Sequence, residues 1–194
     1  PRPMTWAAIS PTRAFIAAVT EQGFLRVWRV QDGRQLAALD LGEAVVSMGF
    51  AGDGTIVAGT DTGHVHIWDW QRPGRPPPPL SVASAPIKQV ALTPHRDELV
   101  AATSDRTFLV PLGGLASRRV LPGGLGMLSH NGRSVLTAGR DGSVVIWAAN
   151  GGARLAGLPG APTSPVTSAT FSPDDRLVAL GAGDSMRVWE WGAG

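Results

Sequence analysis

The sequence predicts an all-β chain in which a four-stranded antiparallel sheet of about 40 residues recurs five times. Three observations carry that prediction. The anchors Trp28, Trp68, Pro111 (a substitution), Trp147 and Trp189 stand 40, 43, 36 and 42 residues apart. A turn-forming segment begins 17 or 18 residues before each anchor, from Ser10, Ala51, Thr93, Ser129 and Ser172. Two short apolar runs joined by a tight turn separate that segment from the anchor. They are clearest in Val135–Ala138 and Val144–Trp147 around Asp141-Gly142, a pair that accepts the positive φ angles of a type I′ hairpin turn.

In chain order, the strand before each turn segment is predicted at Trp6–Ile9, Val45–Phe50, Ile87–Leu92, Gly126–Leu128 and Val166–Phe171. The next run starts at Ile16, Ile56, Leu99, Val135 and Leu177, with a small residue recurring at its third position. The run that reaches the anchor pairs Leu25 with Val27, Val65 with Ile67, Phe108 with Val110, Val144 with Ile146, and Met186 with Val188. A fourth strand follows near Gln35–Leu39, Leu80–Val82, Arg118–Leu121 and Arg154–Leu158; the fifth copy lacks one. The repeats run about 5–44, 45–85, 86–122, 123–163 and 164–194, as one region over 1–194. No window carries a helical period. Both strand faces are apolar, so the sheets must stack on one another as propeller blades do.

Composition narrows the function. The hydrophobic fraction of 43% is that of a folded chain, and seven of its twelve aromatic residues are Trp. The net charge of +2 is spread evenly: residues 1–97 carry nine basic and eight acidic groups, and 98–194 carry eight and seven. The sequence pI of 10.3 arises because no Tyr or Cys and a single Lys leave almost nothing to titrate between His and Arg. No basic stripe exists for a phosphate backbone, so no nucleic-acid partner is expected. No apolar run reaches 18 residues, so no membrane partner is expected either. The absence of Cys excludes disulfides and thiolate metal sites.

These residues resemble the WD-repeat β-propeller family. The closest matches are Asp61-Thr62-Gly63-His64-Val65-His66-Ile67-Trp68-Asp69, and Phe171-Ser172-Pro173-Asp174-Asp175-Arg176-Leu177 with Val188-Trp189. Only Trp68-Asp69 is a literal Trp-Asp pair, and the Gly-His pair that members often carry ahead of the first strand is missing. The departures remove most of the buried Asp-His-Ser/Thr-Trp network that the resemblance implies, leaving Asp141 as the candidate for its Asp. The resemblance also implies ring closure by a terminal strand. The chain opens Pro1-Arg2-Pro3-Met4 and the fifth copy stops after three strands, so the expectation is an excerpt of a larger, seven-bladed propeller. A strained five-blade ring and closure by another chain are the alternatives.

Candidate chemistry is sparse. His64 and His66 share a strand face but no third ligand accompanies them, so no metal is expected. Asp53, Asp174 and Asp175 fall in the recurrent turn, where Asp caps its own backbone. Ser129-His130 does not extend to a triad, and no phosphate loop, dinucleotide fingerprint or HExxH motif is present, so no catalytic residue and no cofactor are expected. Arg72–Pro79 reads as a stiff loop more readily than as a polyproline ligand. Trp70 and Trp191 lie two residues beyond anchors and are expected in the core, with Trp191 the more exposed.

The resemblance implies a non-enzymatic scaffold for protein or peptide partners. Gln22, Thr62, Asp105, Arg140, Asp141 and Asp184 would line one face of turns, with Trp191 a further contact. A cytoplasmic module of a larger bacterial signalling protein is the expectation. The rival readings are a propeller enzyme with a channel-mouth site and a nucleic-acid binder.

Overall fold

The computed structural model describes residues 3–72, 74, 76–113, 117–158 and 164–191. Among the described residues, nineteen strands form four antiparallel sheets of four strands and one of three. Blade 1 holds β1 (Met4–Ile9), β2 (Phe15–Thr20), β3 (Phe24–Arg29) and β4 (Gln35–Asp40). Blade 2 holds β5 (Val45–Phe50), β6 (Thr55–Thr60), β7 (His64–Asp69) and the two-residue β8 (Leu80–Ser81). Prolines 76–79 offer no N–H to the ladder, which is why β8 is so short. Blade 3 holds β9 (Gln89–Leu92), β10 (Glu98–Ala102), β11 (Arg106–Pro111) and β12 (Arg119–Pro122). Blade 4 holds β13 (Gly124–Leu128), β14 (Ser134–Ala138), β15 (Val144–Ala148) and β16 (Arg154–Gly157). Blade 5 holds β17 (Val166–Phe171), β18 (Leu177–Ala182) and β19 (Ser185–Glu190). The Arg72–Pro79 stretch is described except at Pro73 and Arg75, which lie outside the described residues. By contacts the chain divides into two compact units, residues 1–92 and 93–194.

Within each unit the core lies between blades, because each strand alternates its apolar side chains between two covered faces. In the first unit Ala17, Val19, Leu25 and Val27 of blade 1 meet Val45, Ile56, Ala58 and Trp68 of blade 2. In the second, Val100, Leu109 and Leu121 of blade 3 meet Val135 and Trp147 of blade 4. The opposite face of blade 4, with Leu136, Val144 and Ile146, meets Phe171, Val178 and Leu180 of blade 5, where Trp189 joins them. An anchor tryptophan in these contacts therefore packs on the blade before its own. Trp68 is buried, whereas Trp28, Trp147 and Trp189 are half-buried. Faces with no such cover remain apolar: Ile9 on blade 1 is 62% exposed, and Met186 and Val188 on blade 5 are 75% and 54% exposed.

Strand pairing corrects two assignments. Each anchor slot is the β-strand residue paired with the second residue of the preceding strand: Ile16↔Trp28, Ile56↔Trp68 and Val135↔Trp147. In the third blade Leu99 pairs with Val110, while Pro111 pairs with Glu98 and faces the other way. Val110, fully buried, fills the slot expected for Pro111. In the fifth blade Trp189 pairs with Val178, so that strand's equivalence shifts one residue from Leu177.

Candidate functional site

Two kinds of turn cap the blades, and each is built locally by its own sequence. At one end lie the turns between the first and second strands. Ser10, Thr93, Ser129 and Ser172 each accept, on the side-chain oxygen, the N–H of the residue five positions on, at 2.9–3.2 Å. Three residues beyond each of them the chain enters the left-handed region, at Arg13, Arg96, Gly132 and Asp175 (φ 62°, 55°, 72° and 59°). Asp174 behaves as a turn residue, accepting from the Ser172 hydroxyl and the Arg176 N–H.

Asp175 does more. Its carboxylate, 5% exposed, reaches blade 4 and accepts the backbone N–H groups of His130 and Asn131, each at 2.8 Å. Asp53 makes the corresponding reach in the first unit, accepting the Thr12 N–H at 3.2 Å and its hydroxyl at 2.6 Å. The carbonyls of these same two residues accept the indole N–H of Trp191 and Trp70, both at 2.9 Å. Each of those rings also sits edge-on to a phenylalanine, Phe171 for Trp191 and Phe15 for Trp70. Both tryptophans are half-buried clasp residues, and the Trp191 indole nitrogen is engaged within its blade.

At the opposite end lie the turns between the second and third strands. Thr20, Thr60 and Thr103 cap three of them by accepting the N–H of Phe24, His64 and Arg106 at 3.1–3.2 Å. Asp141 takes that part in blade 4, accepting the Ser143 N–H and hydroxyl at 3.0 and 2.6 Å. It stays in its turn. The tryptophan end of the expected network persists alone, as Trp147 Nε1 donates to the buried Thr137 hydroxyl at 2.9 Å. Gln22, Thr62, Asp105, Arg140, Asp141 and Asp184 are all exposed on these turns. Thr62 and Asp105 are bonded to side chains of their surroundings, Glu43 and Thr103.

The first unit brings together residues that spacing alone kept apart. Glu43, on the loop entering blade 2, places one carboxylate oxygen 2.8 Å from His64 Nδ1 and the other 3.3 Å from His66 Nε2. Burial raises the Glu43 pKa, but the Thr62 and His64 hydrogen bonds and the His64 charge outweigh it and hold the group below its usual range. Burial pushes His66 down, against the pull of Glu43. His66 also borders a cleft of about 590 Å³ with Leu39, Asp40, Leu41 and prolines 76–79. Among the described residues no three His, Cys, Asp or Glu side chains are grouped to hold a metal ion.

The second unit holds a smaller cavity of about 320 Å³ at the first-turn end, between the turns of blades 3 and 4. Its wall includes Asp97, Glu98 and Asn150. Glu98 is 7% exposed and its Oε1 has no hydrogen-bond partner; Arg119 Nη1 lies 3.8 Å away, beyond hydrogen-bond reach. Burial raises the Glu98 pKa, against the nearby Arg119 charge. The equivalent first residues of the strand in the other blades are Phe15, Thr55, Ser134 and Leu177, none of them charged.

Comparison with known proteins agrees with this architecture. Residues 125–148 and 152–190 match the family model described as WD domain, G-beta repeat. No curated protein sequence matches the chain. Among solved structures it is similar to the Cps50 (Swd1) β-propeller domain of Myceliophteria thermophila, with a TM-score of 0.83 at 17% identity over 98% of the chain. It is similar to the same degree, TM-score 0.83 at 15% identity over 97% of the chain, to a chain of the Mitotic Checkpoint Complex. The chain spans 65% and 63% of the length of those two. Residues 125–148 and 152–190 therefore match the WD-type repeat in sequence, and the chain as a whole shares the β-propeller blade fold of these solved structures.

Proposed function

We propose that this chain is a non-catalytic scaffold that binds protein or peptide partners through its exposed turns, as a module of a larger signalling protein. The observation that carries the reading is the contrast between rigid blades and solvent-facing turns. The β-strands bury their apolar faces between blades, while Gln22, Thr62, Asp105, Arg140, Asp141 and Asp184 stand exposed on short turns. Several of these turns are fixed by their own hydrogen bonds, so they present polar groups with little ordering cost on binding. Their mixed charge suits a polar protein contact. Support also comes from the solved structure in the Mitotic Checkpoint Complex, in which a similar fold is part of an assembly.

The test is cross-linking of the purified chain in cell extract, with the linked positions mapped by mass spectrometry, for the wild type and for Arg140→Glu with Asp184→Arg. Partners cross-linked at these turns and lost from the double variant, with thermal unfolding unchanged, support the reading. Cross-links that fall on strand faces, or that survive the double substitution, overturn it.

A further inference from the structure

The chain contains two asparagines, Asn131 and Asn150, and each is followed by glycine. Before glycine, the backbone nitrogen of the second residue reaches the asparagine side-chain amide most easily. No Cβ obstructs the approach, and glycine's dihedral angles are the least restricted. Both asparagines are exposed, so contact with solvent does not separate them. Their bonding does. Asn131 lies in the first turn of blade 4, where its Oδ1 accepts the Ser129 hydroxyl and the Arg133 N–H at 2.9 and 2.8 Å. Its own N–H donates to Asp175 at 2.8 Å, and the Gly132 N–H donates to the Ser129 carbonyl at 3.0 Å. Gly132 is also hemmed in, since a Cβ there would lie 2.1 Å from Pro94 Cδ.

Asn150 has none of this. It stands at the tip of the hairpin that joins β15 to β16. The Ala148 N–H closes that hairpin on the Ala153 carbonyl at 2.7 Å, and the Gly152 N–H on the Ala148 carbonyl at 3.0 Å. Among the described residues, neither the Asn150 side chain nor the N–H of Asn150 or Gly151 has a hydrogen-bond partner. Gly151 has φ 92°, and nothing lies within 4 Å of where its Cβ would stand.

We propose that Asn150 is a site of spontaneous deamidation through a succinimide formed with Gly151, and that Asn131 is held intact by its turn. The Gly151 nitrogen gives its proton to solvent and attacks Asn150 Cγ. An N–Cγ bond forms, the Cγ–Nδ2 bond breaks, and Nδ2 takes up a proton and leaves as ammonia. Water then adds to one of the imide carbonyls and breaks its bond to the Gly151 nitrogen. Opening at Cγ leaves aspartate; opening at the backbone carbonyl leaves isoaspartate, whose main chain runs through Cβ and Cγ. One water is consumed and one ammonia released, with no change of oxidation state. Asn150 shares a cavity wall with Asp97 and Glu98, so either product adds a carboxylate where two already stand.

The test ages the purified 194-residue chain in mildly alkaline buffer at body temperature, folded and, in parallel, unfolded in urea. Peptide mapping by mass spectrometry follows each asparagine, and enzymatic carboxyl methylation reads isoaspartate. In the folded chain Asn150 is expected to convert faster than Asn131 by about tenfold or more, because only Asn131 must first give up hydrogen bonds. In urea, where neither turn survives, the two rates are expected to converge. Asn150→Gln, which would need a larger and slower-forming ring, is expected to abolish conversion at that position with the melting temperature unchanged. An Asn150 that stays intact in the folded chain, equal rates at the two sites when folded, or the same ratio of rates in urea overturns the proposal.

Discussion

Replacing Asp175 by alanine is the sharpest perturbation of the blade-to-blade clasp. The carboxylate is 5% exposed and accepts two backbone N–H groups of the preceding blade, each at 2.8 Å. Hydrogen bonds to a charged acceptor contribute about 1.5–3 kcal/mol each, and relief of the carboxylate's own burial offsets part of their loss. Asp175→Ala is therefore expected to destabilise by about 2–4 kcal/mol. The backbone separates the mechanisms further. Asp175 has φ 59°, where alanine retains a strain of about 1–2 kcal/mol that glycine does not. Asp175→Gly should thus be less damaging than Asp175→Ala, although it loses the same bonds. Asn keeps the shape but turns an NH₂ toward a donor, so Asp175→Asn should remain destabilising. Asp53→Ala, which opens the similar clasp in solvent, should have a smaller effect. Urea unfolding followed by tryptophan fluorescence reads all four variants. An Asp175→Ala change below about 0.5 kcal/mol, or a glycine variant less stable than the alanine one, would refute the reasoning.

Trp147→Ala should cost about 2–4 kcal/mol by urea unfolding, since the half-buried indole packs on blade 3 and bonds Thr137; a loss under about 1 kcal/mol would mean it is not part of the core. Gly63→Ala should cost at least about 2 kcal/mol, because Gly63 has φ 90° and an added Cβ would lie 2.1 Å from the Ala83 carbonyl oxygen. Glu98 and Glu43 should show opposite pH behaviour in melting temperature. The raised Glu98 pKa means its folded form disfavours ionisation, so stability is fullest below the unfolded value and is lost as pH rises through the folded one. Glu98→Gln should therefore gain over wild type as pH rises from about 4 to 7, with no gain at the acid end. The lowered Glu43 pKa gives stability that is present above the unfolded value and lost as pH falls through the folded one, so Glu43→Gln should flatten the acid limb.

Strand order and the five-fold repeat were legible because they depend on local signals: two-residue alternation, Gly-bearing turns and a recurring indole. Slots within the strands were less so. Counting from the turn placed Pro111 and Leu177 in register, but the second hairpins differ in length, closing at Ala102↔Thr107 in blade 3 and Ala182↔Ser185 in blade 5. The candidate sites divide the same way. That His64 and His66 share a face follows from spacing; that Glu43 reaches both does not, since it stands 21 and 23 residues earlier on a connecting loop. Asp174 and Asp175 read alike in sequence, yet one caps its own turn and the other bonds to the blade before it. Only the repeat alignment held a clue to Glu98, a charge in a slot that is uncharged in every other copy.

The hairpins of unequal length carry a lesson about tolerance to change. Because each indole or its valine substitute is located by the residue across the ladder rather than by distance along the chain, a residue gained or lost at a hairpin tip is absorbed there. The inward and outward sides of both flanking strands are preserved. A unit of this kind can vary its loop tips while its neighbours still find the same surface to lie against.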